Sequence, residues 1–184
     1  IKDSYDWFRY VERALVDLDQ IPMMGNAPAF DWGKLESELQ NLLEIESLQV
    51  KPGAMSWLGP EAIWEDMGRD SLNLNFSALP LQGRFSATMS NEDVNTFICW
   101  MVEKKARSNI ILASQFVSGL MDYVALEVLH RIQPFEIFDG FLLRLLSDTT
   151  QTSERILVQD VFLSAFKERV LVRILIPETF RKMW

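Results

Sequence analysis

Leu72-Asn73-Leu74-Asn75-Phe76-Ser77-Ala78-Leu79-Pro80-Leu81-Gln82-Gly83-Arg84-Phe85-Ser86-Ala87-Thr88-Met89 reads as two strands separated at Pro80. Leu72, Leu74, Phe76 and Ala78 alternate with Asn73, Asn75 and Ser77. After the proline, Leu81, Gly83, Phe85, Ala87 and Met89 alternate with Gln82, Arg84, Ser86 and Thr88. A period of two puts the apolar set on one face and leaves the other wet. Gly83 marks a bulge or a close backbone approach. At Ser90 the period changes: Ser90 and Asp93 form a capping-box-like pair, and Val94, Phe97, Ile98, Met101 and Val102 follow at helical spacing. Two strands running into a helix set the class as α+β.

Working outward, a second long helix is predicted over Ser114 to Ile132, stopped by Pro134. Its apolar residues spread beyond one stripe, with Phe116, Tyr123 and Leu126 off the main face, so it is expected to be the most buried helix. Strands are predicted over Glu136 to Leu146, Arg155 to Phe166 and Arg169 to Ile176, with Lys167-Glu168 at a hairpin turn and a short helix from Pro177. Toward the N-terminus, Ile45 to Val50 and Ala54 to Leu58 are short extended segments around Lys51-Pro52-Gly53. Asp31 caps a helix carrying Leu35, Leu39, Leu42 and Leu43, and Trp7, Phe8, Val11, Leu15 and Leu18 place an amphipathic helix over residues 4–19. The expectation is an N-terminal helical module, 1–50, and an α/β domain, 51–184, in which a mixed sheet is covered by helices. The opening at Ile1, without Met and within a helical pattern, suggests a piece of a longer protein.

Charge and composition exclude more than they select. The 184 residues carry a formal charge of −8, all of it in residues 1–92, whereas residues 93–184 balance. Phosphate-backbone binding needs a basic patch, so a nucleic-acid partner is disfavoured. The acidic half is either a solvated face or a docking surface for a basic partner. One cysteine, Cys99, and one histidine, His130, rule out a disulfide and any multi-thiolate or multi-histidine site within the chain. Cys99, beside Trp100, reads as a core residue, and His130 as a structural or surface one. No run approaches the roughly 18–20 apolar residues of a membrane span.

Trp64-Glu65-Asp66-Met67-Gly68-Arg69-Asp70 gathers carboxylates around a glycine but lacks the alternating ligands and distal glutamate of a calcium loop. Phosphate loops, nucleophile elbows and His-Glu-x-x-His pairs are missing from the sequence. No metal, cofactor or catalytic residue is expected. Six tryptophans favour interaction instead, and Trp32, Trp57 and Trp64, in or beside loops, are the candidate partner-binding residues, with packing inside the domain as the alternative for each.

Leu81-Gln82-Gly83-Arg84-Phe85-Ser86-Ala87-Thr88-Met89-Ser90, followed by Asn91-Glu92-Asp93 opening a helix, resembles the middle region of the SctQ family. These are cytosolic type III secretion proteins related to the flagellar switch proteins FliM and FliN. Arg155-Ile156-Leu157-Val158-Gln159-Asp160-Val161 and Val172-Arg173-Ile174-Leu175-Ile176-Pro177-Glu178-Thr179-Phe180-Arg181 share the likeness, which spans about residues 70–184. The resemblance implies an α/β/α fold related to CheC and to the FliM middle domain, and a non-catalytic scaffold in the cytoplasmic sorting platform, or C-ring, peripheral to the inner-membrane apparatus. It implies contacts with an SctK-like adaptor and the SctL-like stator of the ATPase, and self-assembly through C-terminal SPOA domains that lie outside this chain. The CheC relationship also supplies a rival: active members carry Ser or Asp, then Glu four on, then Asn three beyond. Ser118, Asp122 and Ala125 hold that spacing here, without the amide that positions the attacking water. An acidic secretion chaperone is the remaining alternative.

Overall fold

A computed structural model describes residues 30–64, 67, 68, 70–80, 84–105, 114–147 and 156–176. The amphipathic helix expected over residues 4–19, the expected bulge at Gly83 and the expected helix from Pro177 lie outside the described residues, as do Glu65, Asp66 and Arg69.

The described elements are α1 (Trp32–Leu43), β1 (Gln49–Leu58), α2 (Pro60–Trp64), β2 (Leu72–Leu79), β3 (Phe85–Met89), α3 (Asn91–Glu103), α4 (Ser114–Ile132), β4 (Leu142–Leu146), β5 (Ile156–Ala165) and β6 (Glu168–Ile176). The strands form one six-stranded sheet in the order β1-β5-β6-β3-β2-β4. The sheet was expected to be mixed, but every described pairing is antiparallel. Because each strand pairs with a hairpin neighbour or with a strand returning across the sheet, no parallel crossover is required.

Residues directly opposite in antiparallel strands share a face. Leu157, Val161, Leu163, Val170, Ile176, Ala87, Met89, Leu74, Phe76 and Leu143 thus form one apolar face, on which α1, α3 and α4 pack. On the opposite face, Ile63 of α2 packs with Ile156, Val158 and Leu175. Asn73, Asn75, Ser86 and Thr88, expected to be wet, also lie there, yet Asn75 and Thr88 are buried. Their burial is tolerated because the side chains satisfy one another across the β2–β3 ladder. Thr88 Oγ1 donates to Asn73 Oδ1 at 2.7 Å, and Ser86 Oγ donates to Asn75 Oδ1 at 2.6 Å.

Helix starts follow the caps read from sequence. The Asp31 carboxylate accepts from the Lys34 amide at 2.9 Å, and Ser90 Oγ accepts from the Asp93 amide at 3.1 Å while donating to the Asp93 carboxylate at 2.7 Å. α1 and α3 end in left-handed residues, Glu44 and Lys104. Lys104 Nζ donates to the Leu43 carbonyl and lies 3.5 Å from the Glu44 carboxylate, placing a cation where the last carbonyls of α1 favour one.

Three expectations are corrected. Of the extended segment expected over Ile45 to Val50, residues 45–48 form a turn, and Gln49 and Val50 run on through Lys51-Pro52-Gly53 into the second segment as one strand, β1, with an irregularity between Pro52 and Met55 that accommodates Pro52 and Gly53 on the sheet edge. The strand expected from Glu136 is instead a 3-10 turn, Glu136–Phe138, whose Ile137 and Phe138 plug the core, and Gly140 at φ 77° redirects the chain into β4. The hairpin turn falls one residue earlier than expected, on Phe166 and Lys167, both at positive φ (52° and 67°), so Glu168 already pairs with Ala165.

The boundary drawn at residue 50 falls inside β1. Leu39, Leu43, Ile45 and Leu48 share a core with Val50, Val94 and Trp100, and two α1 side chains hold the entry to β1. Glu36 Oε2 accepts from the Val50 amide at 2.7 Å, and Gln40 Nε2 donates to the Leu48 carbonyl at 2.8 Å.

Candidate docking surfaces

The three tryptophans are dispersed. Trp32 opens α1 half-buried, its ring 4.6 Å from that of Phe30. Trp64 ends α2 half-buried against the small cluster around Ile63. Trp57 lies on edge strand β1 with 39% of its surface exposed, close to Met55 at 44%. Both face the helix-bearing side by register with Leu157 and Gln159, yet remain exposed on the sheet edge.

Helix α4 carries the larger apolar exposure. Phe116, Tyr123 and Leu126 are 53%, 57% and 53% exposed. The expectation that α4 is the most buried helix is therefore corrected: α3 holds that place, with Val94, Thr96, Phe97, Ile98, Cys99 and Trp100 all buried. Apolar residues all round α4 mark two faces, one covered by the sheet and one facing outward. The spacing 116, 119, 123, 126, 130 could have revealed this second stripe in the sequence.

Among the described residues, no group of His, Cys, Asp or Glu is placed to hold a metal. Cys99 is buried and His130 is exposed. Ser118 and Asp122 are exposed on α4, but Ala125, at the place of the water-positioning amide, is buried in the core beside Leu129 and Phe138. Beyond α3, the Lys105 ammonium lies 2.8 Å from the Glu103 carboxylate, and this hydrogen bond and the adjacent negative charge raise its pKa above the ordinary lysine value. No described helix is long and apolar enough to cross a membrane.

One cavity, about 170 Å³, lies between the sheet and the helix layer. Its lining is apolar, including Phe30, Phe85, Ala87, Ala125 and Ile174, and so supplies none of the convergent polar groups that orient a substrate. It is a packing defect with a testable consequence. Ala87→Val adds two methyl groups on a strand that favours β-branched residues. A gain of about 1 kcal/mol and a melting temperature higher by about 3 °C are expected. A lower melting temperature would show that the walls have no room to spare.

No protein-family model matches the sequence, and no curated protein matches it. Solved structures do match in fold. A chain of the FliG–FliM complex from H. pylori superposes with a TM-score of 0.65 at 10% identity, covering 82% of this chain and 89% of that one. The FliM middle domain from H. pylori gives 0.61 at 10% identity over 82% and 88%. FliY from Thermotoga maritima gives 0.63 at 12% identity over 90% and 92%. At such identities the likeness is one of architecture: this chain has the fold of the FliM middle domain and of FliY.

Proposed function

We propose that this chain is a non-catalytic scaffold of the cytosolic sorting platform of a type III secretion system, docking an SctK-like adaptor and an SctL-like stator of the ATPase. The observation that carries the reading is the FliM-middle-like fold over most of the chain. The resemblance of residues 70–184 to the SctQ middle region supports secretion as the setting. The solved FliG–FliM complex gives a precedent for a protein of this fold binding a protein partner. The buried Ala125 argues against the phosphatase reading, because a methyl group in the core cannot position water beside a phosphoryl group.

The test is a pull-down of purified adaptor and stator by this chain, with the Trp57→Ala variant in parallel. Retention of at least one partner by the parent chain is expected, with weaker retention by the variant if the exposed edge of β1 is the contact. Failure of both partners to bind, or phosphate release from a phosphorylated receiver domain, overturns the reading.

A further inference from the structure

β6 runs through the middle of the sheet, between β5 and β3. By register its residues 170, 172, 174 and 176 lie on the helix-bearing face, opposite Leu163, Val161, Gln159 and Leu157. The outer two, Val170 and Ile176, are 0% and 1% exposed, as a central strand beneath helices should be. The inner two, Val172 and Ile174, are only half-buried, and so is Ala87, which pairs with Ile174 from β3. The helix layer therefore stands off the sheet at its centre. Val172, Ile174 and Ala87 form the floor of the cavity of about 170 Å³, and α1, α3 and α4 supply its walls. Ala87 on the floor and Ala125 on the α4 wall present single methyl groups where larger side chains would close the space.

Water gains little from entering. A buried water needs two to four polar partners, and the lining is apolar. An apolar space of roughly 150 Å³ stays dry and takes up benzene or xenon. Six rings stand in the wall, those of Phe30, Trp32, Phe76, Phe85, Phe97 and Phe138, so an aromatic guest can meet them edge to face. We propose that the centre of the helix–sheet interface is a binding site for a small apolar molecule, an aromatic or compact aliphatic hydrocarbon of about six to nine non-hydrogen atoms. Selectivity follows from the lining: a hydroxyl carried into the site leaves water and finds no partner. The site is separate from the exposed edge of β1 and fills whether or not a protein docks there.

The probe is benzene, added at about 10 mM to the whole chain. Binding to the folded state alone is expected to raise the melting temperature by about 2–8 °C, as a dissociation constant of about 0.1–2 mM requires. Phenol should bind at least fivefold more weakly. Methionine methyl resonances locate the guest. Met89 and Met121 line the cavity, whereas Met67 is buried outside the lining and Met55 is exposed on the sheet edge. Ring-current shifts are expected for Met89 and Met121, with Met55 and Met67 unmoved. Ala87→Val, which takes up part of the space, should weaken benzene at least tenfold without lowering the melting temperature measured in its absence. Should that variant fail to fold, the methyl shifts of the parent chain decide alone. The proposal is overturned if Met89 and Met121 stay unmoved, or if all four methyls move alike. Phenol bound as tightly as benzene, or a folded Ala87→Val variant that binds benzene as the parent does, overturns it equally.

Discussion

Trp100→Ala is expected to lower the unfolding free energy by about 3–5 kcal/mol and the melting temperature by about 10 °C. Trp100 is fully buried at 0% exposure and occupies the point where α3 meets the closing hairpin of the sheet. Its ring lies 6.5 Å from Phe97 on its own helix and 6.5 Å, edge to face, from Phe166 in the β5–β6 turn. Its Nε1 donates to Glu168 Oε2 at 3.1 Å. Truncation would remove the largest side chain of the core and leave a void bounded by elements that cannot collapse independently. Trp100→Phe separates the terms: it keeps most of the packing and loses the hydrogen bond, so a cost of about 1–2 kcal/mol is expected. Urea denaturation of both variants gives the comparison. Equal losses would assign the effect to the hydrogen bond, and a Trp100→Ala melting temperature within 2–3 °C of the parent would remove Trp100 from the core altogether.

The turn beside this tryptophan explains why part of the hairpin was legible and part was not. The strands flanking it alternate clearly, but the two turn residues, Phe166 and Lys167, are neither glycine nor asparagine, although both adopt positive φ. Local chemistry opposes that conformation by about 1 kcal/mol or more per residue. The contact between Phe166 and Trp100 offsets it from outside the turn, and such a contact joins positions 66 residues apart that no local pattern reports.

The same distinction runs through the chain. Asp31 and Ser90 sit at their caps because capping is decided within three or four residues. β2 turns Leu74, Phe76 and Ala78 to the helix-bearing face as its alternation predicts, but Asn75 on the other face is buried too, a burial that the pattern of two does not report. The placement of α1 is another matter. Its leucine stripe predicts that one face is covered but does not name the cover, which proves to be the sheet that β1 joins, helped by the Arg131–Glu38 pair at 2.9 Å. On α4, apolar residues around the whole helix admitted two readings, complete burial or a second contact face, and only the solvent exposure of Phe116, Tyr123 and Leu126 separates them. Of the tryptophans singled out as partner-binding candidates, Trp57 is the one left substantially exposed, on a sheet edge whose position follows from strand order and not from any local signal.

The second large effect is expected on the opposite face of the sheet, where Arg173 and Asp160 face each other across β5 and β6. Arg173 Nε donates to Asp160 Oδ1 at 2.7 Å and its Nη2 to Oδ2 at 3.0 Å, a two-point grip, while Nη1 donates to the Ile63 carbonyl at 2.9 Å and so ties α2 to the sheet. The guanidinium is the deeper partner, with 5% of its side chain exposed against 26% for the carboxylate. Removing either partner strands the other, and the cost is governed by how buried the stranded charge is. Asp160→Ala is therefore expected to cost at least as much as Arg173→Ala, with about 3 kcal/mol for the latter, near the lower end of the usual range because water reaches the carboxylate that remains. The apolar double variant, Arg173→Met with Asp160→Leu, leaves no charge unpaired and should recover most of either loss, although the freed Ile63 carbonyl keeps it below the parent. Urea denaturation of the parent, the single variants Arg173→Met and Asp160→Leu, and their double closes the cycle. Additive losses in the double variant would mean that the two residues act independently, and the ion pair would then have no part in holding α2 to the sheet.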